Sequence, residues 1–148
     1  MLFRSGQGTV TVSVAENVAA DAATNNNTVS NTLSRKYDNV APTPSFSPSD
    51  NATNVAKSSN LVLIFNEDIQ KGSGSILIKE GGATTQTILV ASVSVSGNTA
   101  TIDPADFTLG AAVNIEMPSG VFKDLSNNNS SDIKIGRASC RERVCLAV

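Results

Sequence analysis

The sequence contains no histidine and no tryptophan, and its two cysteines, Cys140 and Cys145, both lie in the last nine residues. Ser-His-Asp and Cys-His catalytic sites and histidine-based zinc sites are therefore excluded within these 148 residues. Aromatic residues make up only 4% of the chain, which leaves little material for the aromatic platforms that bind sugars. We therefore expect a protein that is not an enzyme.

Charge and long apolar runs are also scarce. Charged residues account for 16% of the chain, the formal net charge is −2, and the basic residues are scattered. Such a chain offers no basic surface to nucleic acid. No apolar run approaches the roughly 20 residues that a membrane-spanning helix needs. The N-terminal residues also lack the apolar segment and cleavage site of a secretory signal.

Alternating strand patterns are present at the start of the chain. TVTVSV at 9–14 has the period of two that is typical of a half-buried strand, and TLSRKYD at 32–38 is a second candidate. Two or three strands cannot form a sandwich. We predict that residues 1–38 are the C-terminal remnant of a preceding repeat, followed by a proline-containing linker at 39–44.

Residues 45–134 are predicted to form one complete domain. Short strand candidates without helical period occupy 45–47, 61–65, 75–79, 85–90, 92–96, 99–102, 113–117 and 121–123. The clearest hairpin is SVSGNTATID, where Gly97-Asn98 separates two alternating runs. Eight such strands indicate an all-β fold, an immunoglobulin-like β-sandwich. The predicted core residues are Phe46, Val55, Leu61, Leu63, Phe65, Ile76, Ile78, Ile88, Val93, Val95, Ile102, Phe107, Val113, Ile115 and Phe122.

The last fourteen residues, IGRASCRERVCLAV, differ in composition from everything before them. They hold three arginines and both cysteines, and their first ten letters resemble the translation of a common sequencing adapter. We predict that residues 135–148 are an artefactual tail outside the domain.

An internal repeat links the two parts of the chain. NVAADAATNNN at 17–27 and GVFKDLSNNN at 120–129 both contain an apolar strand end, an aspartate, two small or apolar residues, a turn position and asparagine. The copies lie about 100 residues apart, which is the size of one sandwich repeat. Tandem modules are therefore expected.

The words PSFSPSDNATNVAKSSNLVLIFNEDIQKGSGSILIKE, SVSGNTATIDPADFTLG and GVFKDLSNNN together resemble the bacterial Ig-like domain of the S-layer (SbsA) type, over about residues 42–133. The first 38 residues resemble the end of another bacterial Ig-like repeat. Where that pattern has an Asp-x-x-Gly-Asn loop, this sequence has Thr24 and Asn127 in place of glycine. Because β-branched Thr avoids the left-handed conformation, we expect the first loop to differ in shape.

Calcium is the one ligand that the residues suggest. Asp21 with Asn25, and Asp124 with Asn128, place carboxylate and amide oxygens on tight loops, and calcium prefers such ligands. The alternative is that these side chains form turns by bonding their own backbone. Other paired carboxylates, at 67–68 and at 103 and 106, are interpreted as solvated loops. No cofactor is expected to be required.

The resemblance implies a structural or spacer repeat of a large secreted bacterial surface protein, of the adhesin or S-layer type. Its partners would be neighbouring Ig-like repeats in the same chain and a cell-surface or matrix ligand of the parent protein. Its location would be extracellular, at the bacterial cell surface. The alternatives are a module that binds polysaccharide or protein, and an accessory domain of a secreted hydrolase.

Overall fold

The computed structural model describes residues 7–139, with side chains through residue 135. The chain divides into two compact units, Met1–Val40 and Ala41–Val148. Within its described residues, the first unit is an antiparallel ribbon of two strands, β1 (Gly8–Val12) and β2 (Leu33–Tyr37). β1 overlaps the alternating strand predicted at 9–14, and β2 lies within the second candidate strand at 32–38.

The second unit contains ten strands in the part that the structure describes. They are β3 (Pro44–Ser47), β4 (Leu61–Phe65), β5 (Ile69–Lys71), β6 (Ser75–Glu80), β7 (Ala83–Leu89), β8 (Ser94–Ser96), β9 (Thr99–Ile102), β10 (Ala112–Met117), β11 (Phe122–Asp124) and β12 (Ile133–Ser139). A single turn of 3-10 helix, Val90–Ser92, lies between β7 and β8. These strands form two four-stranded antiparallel sheets, in the orders β3-β4-β9-β8 and β12-β10-β6-β7, and a short pair of β5 and β11.

The core lies between the two larger sheets because each contributes its inward-facing alternate residues. In β4, Leu61, Leu63 and Phe65 are buried, while Ile64 between them is 47% exposed. The opposite sheet contributes Ile76 and Ile78 from β6, and these residues belong to the same apolar cluster. The predicted all-β immunoglobulin-like sandwich is thus confirmed.

Two strands were not predicted from the pattern. β5 has only three residues and no alternation, and β12 begins immediately before the segment assigned to the tail. Ile133 and Ile135 of β12 are buried, and Ile135 lies opposite Ile115 of β10. The strand therefore continues five residues past Lys134, the predicted end of the domain. Residues 140–148 of the predicted tail lie outside the described residues, and its artefactual origin stays a prediction.

Candidate functional site

Asp124 closes the loop that follows β11. Its side chain is 1% exposed, and its Oδ1 accepts hydrogen bonds from the backbone N–H groups of Ser126 at 2.8 Å and Asn128 at 2.7 Å. The other oxygen, Oδ2, accepts a bond from the Asn128 side-chain amide at 2.6 Å. Asn127 has a left-handed backbone with φ of 69°, which Asn tolerates. The buried Asp124 carboxylate thus accepts the hydrogen bonds that hold the turn together.

Asp21 closes the loop of the first unit in the same way. Its Oδ1 accepts bonds from the N–H groups of Ala23 and Asn25, both at 2.9 Å, and its Oδ2 accepts a bond from the Asn25 amide at 3.0 Å. Thr24 has φ of 68°, within one degree of Asn127. The expectation that Thr24 would change the loop shape is therefore wrong. The hydrogen bonds to Asp21 hold the turn in a conformation that a β-branched residue alone avoids.

Electrostatics of the first loop follow from the same contacts. The side-chain hydrogen bond from Asn25 lowers the pKa of Asp21, and the backbone N–H groups of Asn25 and Ala23 lower it further. The loop therefore favours the charged carboxylate that accepts these bonds.

The structure brings together both predicted calcium pairs, Asp21 with Asn25 and Asp124 with Asn128. In each pair both carboxylate oxygens face N–H donors of their own loop, so they serve the turn-forming role that was the alternative. Calcium takes 6–8 oxygen ligands, so binding would require these bonds to be exchanged for metal contacts. Calcium stays a prediction. Heat on titration with millimolar calcium, lost in Asp124→Asn, would support it, and no heat would end it.

Sequence reasoning missed the residue that attaches this loop to β5. Gln70 donates from Nε2 to the Asp124 carbonyl at 2.7 Å and to Asn127 Oδ1 at 3.2 Å. A carboxylate oxygen of half-buried Glu67 lies within 4.8 Å of one from Asp124. Of the pair at 67–68, Asp68 is exposed as the solvated-loop interpretation expects, but Glu67 is half-buried with a buried Oε1, so that interpretation is wrong for Glu67. The Gln70 contacts join residues more than fifty positions apart, so no local sequence pattern predicts them.

The apolar interior of the sandwich encloses little room for a small molecule, whereas an open cleft of about 520 Å³ lies on its surface, lined among others by Lys79, Glu116 and Lys134. An apolar cavity between the sheets, lined among others by Leu61, Phe107 and Val113, has a volume of about 30 Å³. That volume admits about one water molecule.

Of the paired carboxylates, Asp106 forms an exposed ion pair with Lys57 at 2.7 Å, and Asp103 is exposed on the same loop.

Two packed antiparallel sheets define an immunoglobulin-like sandwich module, and an aspartate loop follows its strand β11. A family model described as the bacterial Ig-like domain matches residues 38–135, and the chain belongs to that family. Among curated proteins, none matches this chain. Across the described part of the chain, no helix has the length and apolar character needed to cross a membrane.

Proposed function

We propose that the second unit is a non-catalytic spacer module of a secreted bacterial surface protein, of the adhesin or S-layer type. We further propose that the first unit is the end of a preceding module in the same chain, as predicted for residues 1–38. Family membership supports a structural surface domain. The observation that carries the tandem arrangement is the likeness between the first unit and the segment of the second unit that runs from β10 to β12.

The two loops agree hydrogen bond for hydrogen bond at a constant sequence offset. Asp21 and Asp124 are 103 positions apart, and the same offset relates Asn25 to Asn128. The aspartate N–H donates to the carbonyl of that asparagine at 3.0 Å in the first loop and at 3.1 Å in the second. An isolated bridge flanks each loop, between residues 20 and 26 and between residues 123 and 129. The loops are therefore equivalent in position as well as in sequence.

The strand ends farthest from the loops keep the same offset. Val10 lies opposite Arg35 in the first ribbon, and the positions 103 residues later, Val113 and Ala138, lie opposite each other in β10 and β12.

Nearer the loops the two registers differ. Val12 lies opposite Leu33 in the first ribbon, whereas the corresponding Ile115 lies opposite Ile135, one residue before the equivalent of Leu33. The constant offset therefore holds for the loops and for the strand ends farthest from them.

Small-angle scattering of a chain with three tandem copies of residues 38–139 tests the spacer role. We expect an extended rod whose length grows in proportion to the number of copies, with the single copy as the control. A compact particle would contradict the proposal. A glycan array probed with the same chain separates the spacer from a polysaccharide-binding module, since specific binding would favour the latter.

A further inference from the structure

Four valines of the first unit occupy positions that are core positions in the second. The corresponding residues, 103 positions later, are all buried: Val113, Ile115, Met117 and Val121. In the first unit, Val12 is 58% exposed, Val14 is 47% exposed and Val18 is 63% exposed. Val10 completes the set and is half-buried. We call Val10, Val12, Val14 and Val18 the valine face.

The first ribbon also has an open edge. In the second unit, β10 lies between β12 and β6, with Ile115 opposite Ile78 and Glu116 opposite Leu77. In the described residues of the first unit, β1 pairs with β2 alone, on the edge that corresponds to β12. The edge of β1 that corresponds to the β6 side of β10 therefore presents backbone N–H and carbonyl groups.

We propose that the open edge of β1 and the valine face bind an antiparallel β-strand of the β6 kind. This strand has apolar residues at alternate positions, as Ile76 and Ile78 have in β6. It belongs to the part of the parent protein that precedes residue 1, because β6 ends 32 positions before β10 begins, at Glu80 and Ala112. The inference rests on the proposed tandem arrangement. It adds that the open edge of β1 and the valine face are the surfaces on which the rest of the preceding module packs.

The pairing register follows from the second unit. Because Ile115 faces Ile78, the equivalent Val12 faces an inward apolar residue of the incoming strand. Cross-strand apolar pairs of this kind stabilise a sheet. The incoming strand and the sheet opposite it would together cover Val12, Val14 and Val18, as their counterparts are covered in the second unit.

The test supplies the missing strands from the chain itself. A second copy of residues 41–109 is joined in front of Gln7 of the full chain, so that β1 and β2 become the last strands of a hybrid module. Hydrogen exchange of the β1 amides is then compared with that of the original chain. We expect exchange in β1 to slow by at least about tenfold, because pairing and burial raise the free energy of local opening.

Two lysine substitutions in the hybrid give a matched comparison. Val12→Lys places a charge on the valine face and should abolish the protection of β1. Thr11→Lys places the same charge on the same strand, on its other face, and should leave that protection in place. Equal effects of the two substitutions would overturn the proposal.

A second hybrid guards against a packing defect. Ala19 stands where the second unit has fully buried Phe122, so the hybrid would contain a cavity. Ala19→Phe fills that space. Fast β1 exchange in both hybrids, with the second unit still protected, would sink the inference. Protection that appears only in a dimer at high concentration would show that a second copy supplies the strand, which also contradicts the proposal.

This outcome is separable from that of the proposed function. A protected β1 with a compact tandem particle would leave the strand-accepting edge standing and remove the spacer role. An unprotected β1 with an extended tandem particle would contradict the strand-accepting edge and leave the spacer role standing.

Discussion

Asp124 shows at the scale of one residue how a buried charge is accommodated. A carboxylate that is removed from water destabilises a fold unless hydrogen bonds replace its hydration. Here three donors from Ser126 and Asn128 surround it. Removing the carboxylate would leave the two backbone N–H groups without their acceptor.

We expect Asp124→Ala to lower the free energy of unfolding by about 1–3 kcal/mol, measured by urea denaturation. The control is Asp103→Ala, which removes an exposed loop carboxylate and should change stability by no more than about 0.5 kcal/mol. Equal stability of the two variants would show that the loop does not depend on its buried aspartate.

A second residue-scale prediction concerns pH. The hydrogen bond from Lys79 Nζ, at 2.8 Å, lowers the pKa of Glu116, and the positive charges of Lys79 and Lys134 add to this effect. A lowered pKa means that the folded state holds its proton less tightly than the unfolded state. The stabilisation is therefore present above the ordinary glutamate pKa of about 4.3 and is lost as pH falls through the lower folded-state value.

Glu116→Gln should therefore destabilise the protein at neutral pH, and its difference from the unsubstituted chain should shrink as pH falls from about 6 to about 3. Thermal denaturation at several pH values measures this. Asp68→Asn removes one negative charge from an exposed turn and controls for net charge. A difference that stays constant over this range would refute the role of the Lys79 contact.

At the scale of elements, β5 and the residues before β11 approach so closely that only glycine fits at position 72. The Gly72 N–H donates to the Val121 carbonyl at 2.8 Å, and the Ser73 N–H donates to the Gly120 carbonyl at 3.0 Å. A Cβ atom on Gly72 would lie 1.9 Å from the Gly120 carbonyl oxygen. The two segments would have to separate to admit it.

Gly72→Ala should destabilise the second unit by at least about 1–3 kcal/mol, the usual cost of overpacking. Ser73→Ala, one residue away, keeps its backbone bond and should change stability little. Urea denaturation compares the two variants. An unchanged midpoint for Gly72→Ala would mean that the strands can separate there without loss.

Elements with local signals could be predicted, and those defined by distant contacts could not. The β8–β9 hairpin follows from alternation around Gly97, which has the positive φ, 56°, that such a turn requires. The Asp124 and Asn128 pair is also local, since four positions separate the two residues. By contrast, the Gln70 contact with that loop depends on the packing of β5 against β11, and β5 carries no alternation.

At the scale of the whole chain, composition and periodicity indicated the sandwich, but the position of its last strand depended on tertiary pairing. Ile133 and Ile135 are both buried, yet the segment that contains Ile135 looks foreign in composition. An edge strand needs backbone partners and a few apolar side chains, and β10 supplies the partners. Unusual composition was therefore a poor guide to where the strand ends.

Two truncations locate the end of the module. A chain that stops after Lys134 loses Ile135, which is 6% exposed, and the residues opposite Val113 and Ala112 in β10. Burial of one isoleucine side chain contributes about 1.5–3 kcal/mol, so we expect this chain to be at least about 2 kcal/mol less stable than one that stops after Ser139. Urea denaturation followed by circular dichroism compares them, and Ile135→Ala in the full chain isolates the side chain from the backbone pairing. Equal midpoints for the two truncated chains would show that the module is complete at Lys134 and that residues 135–139 pair without stabilising it.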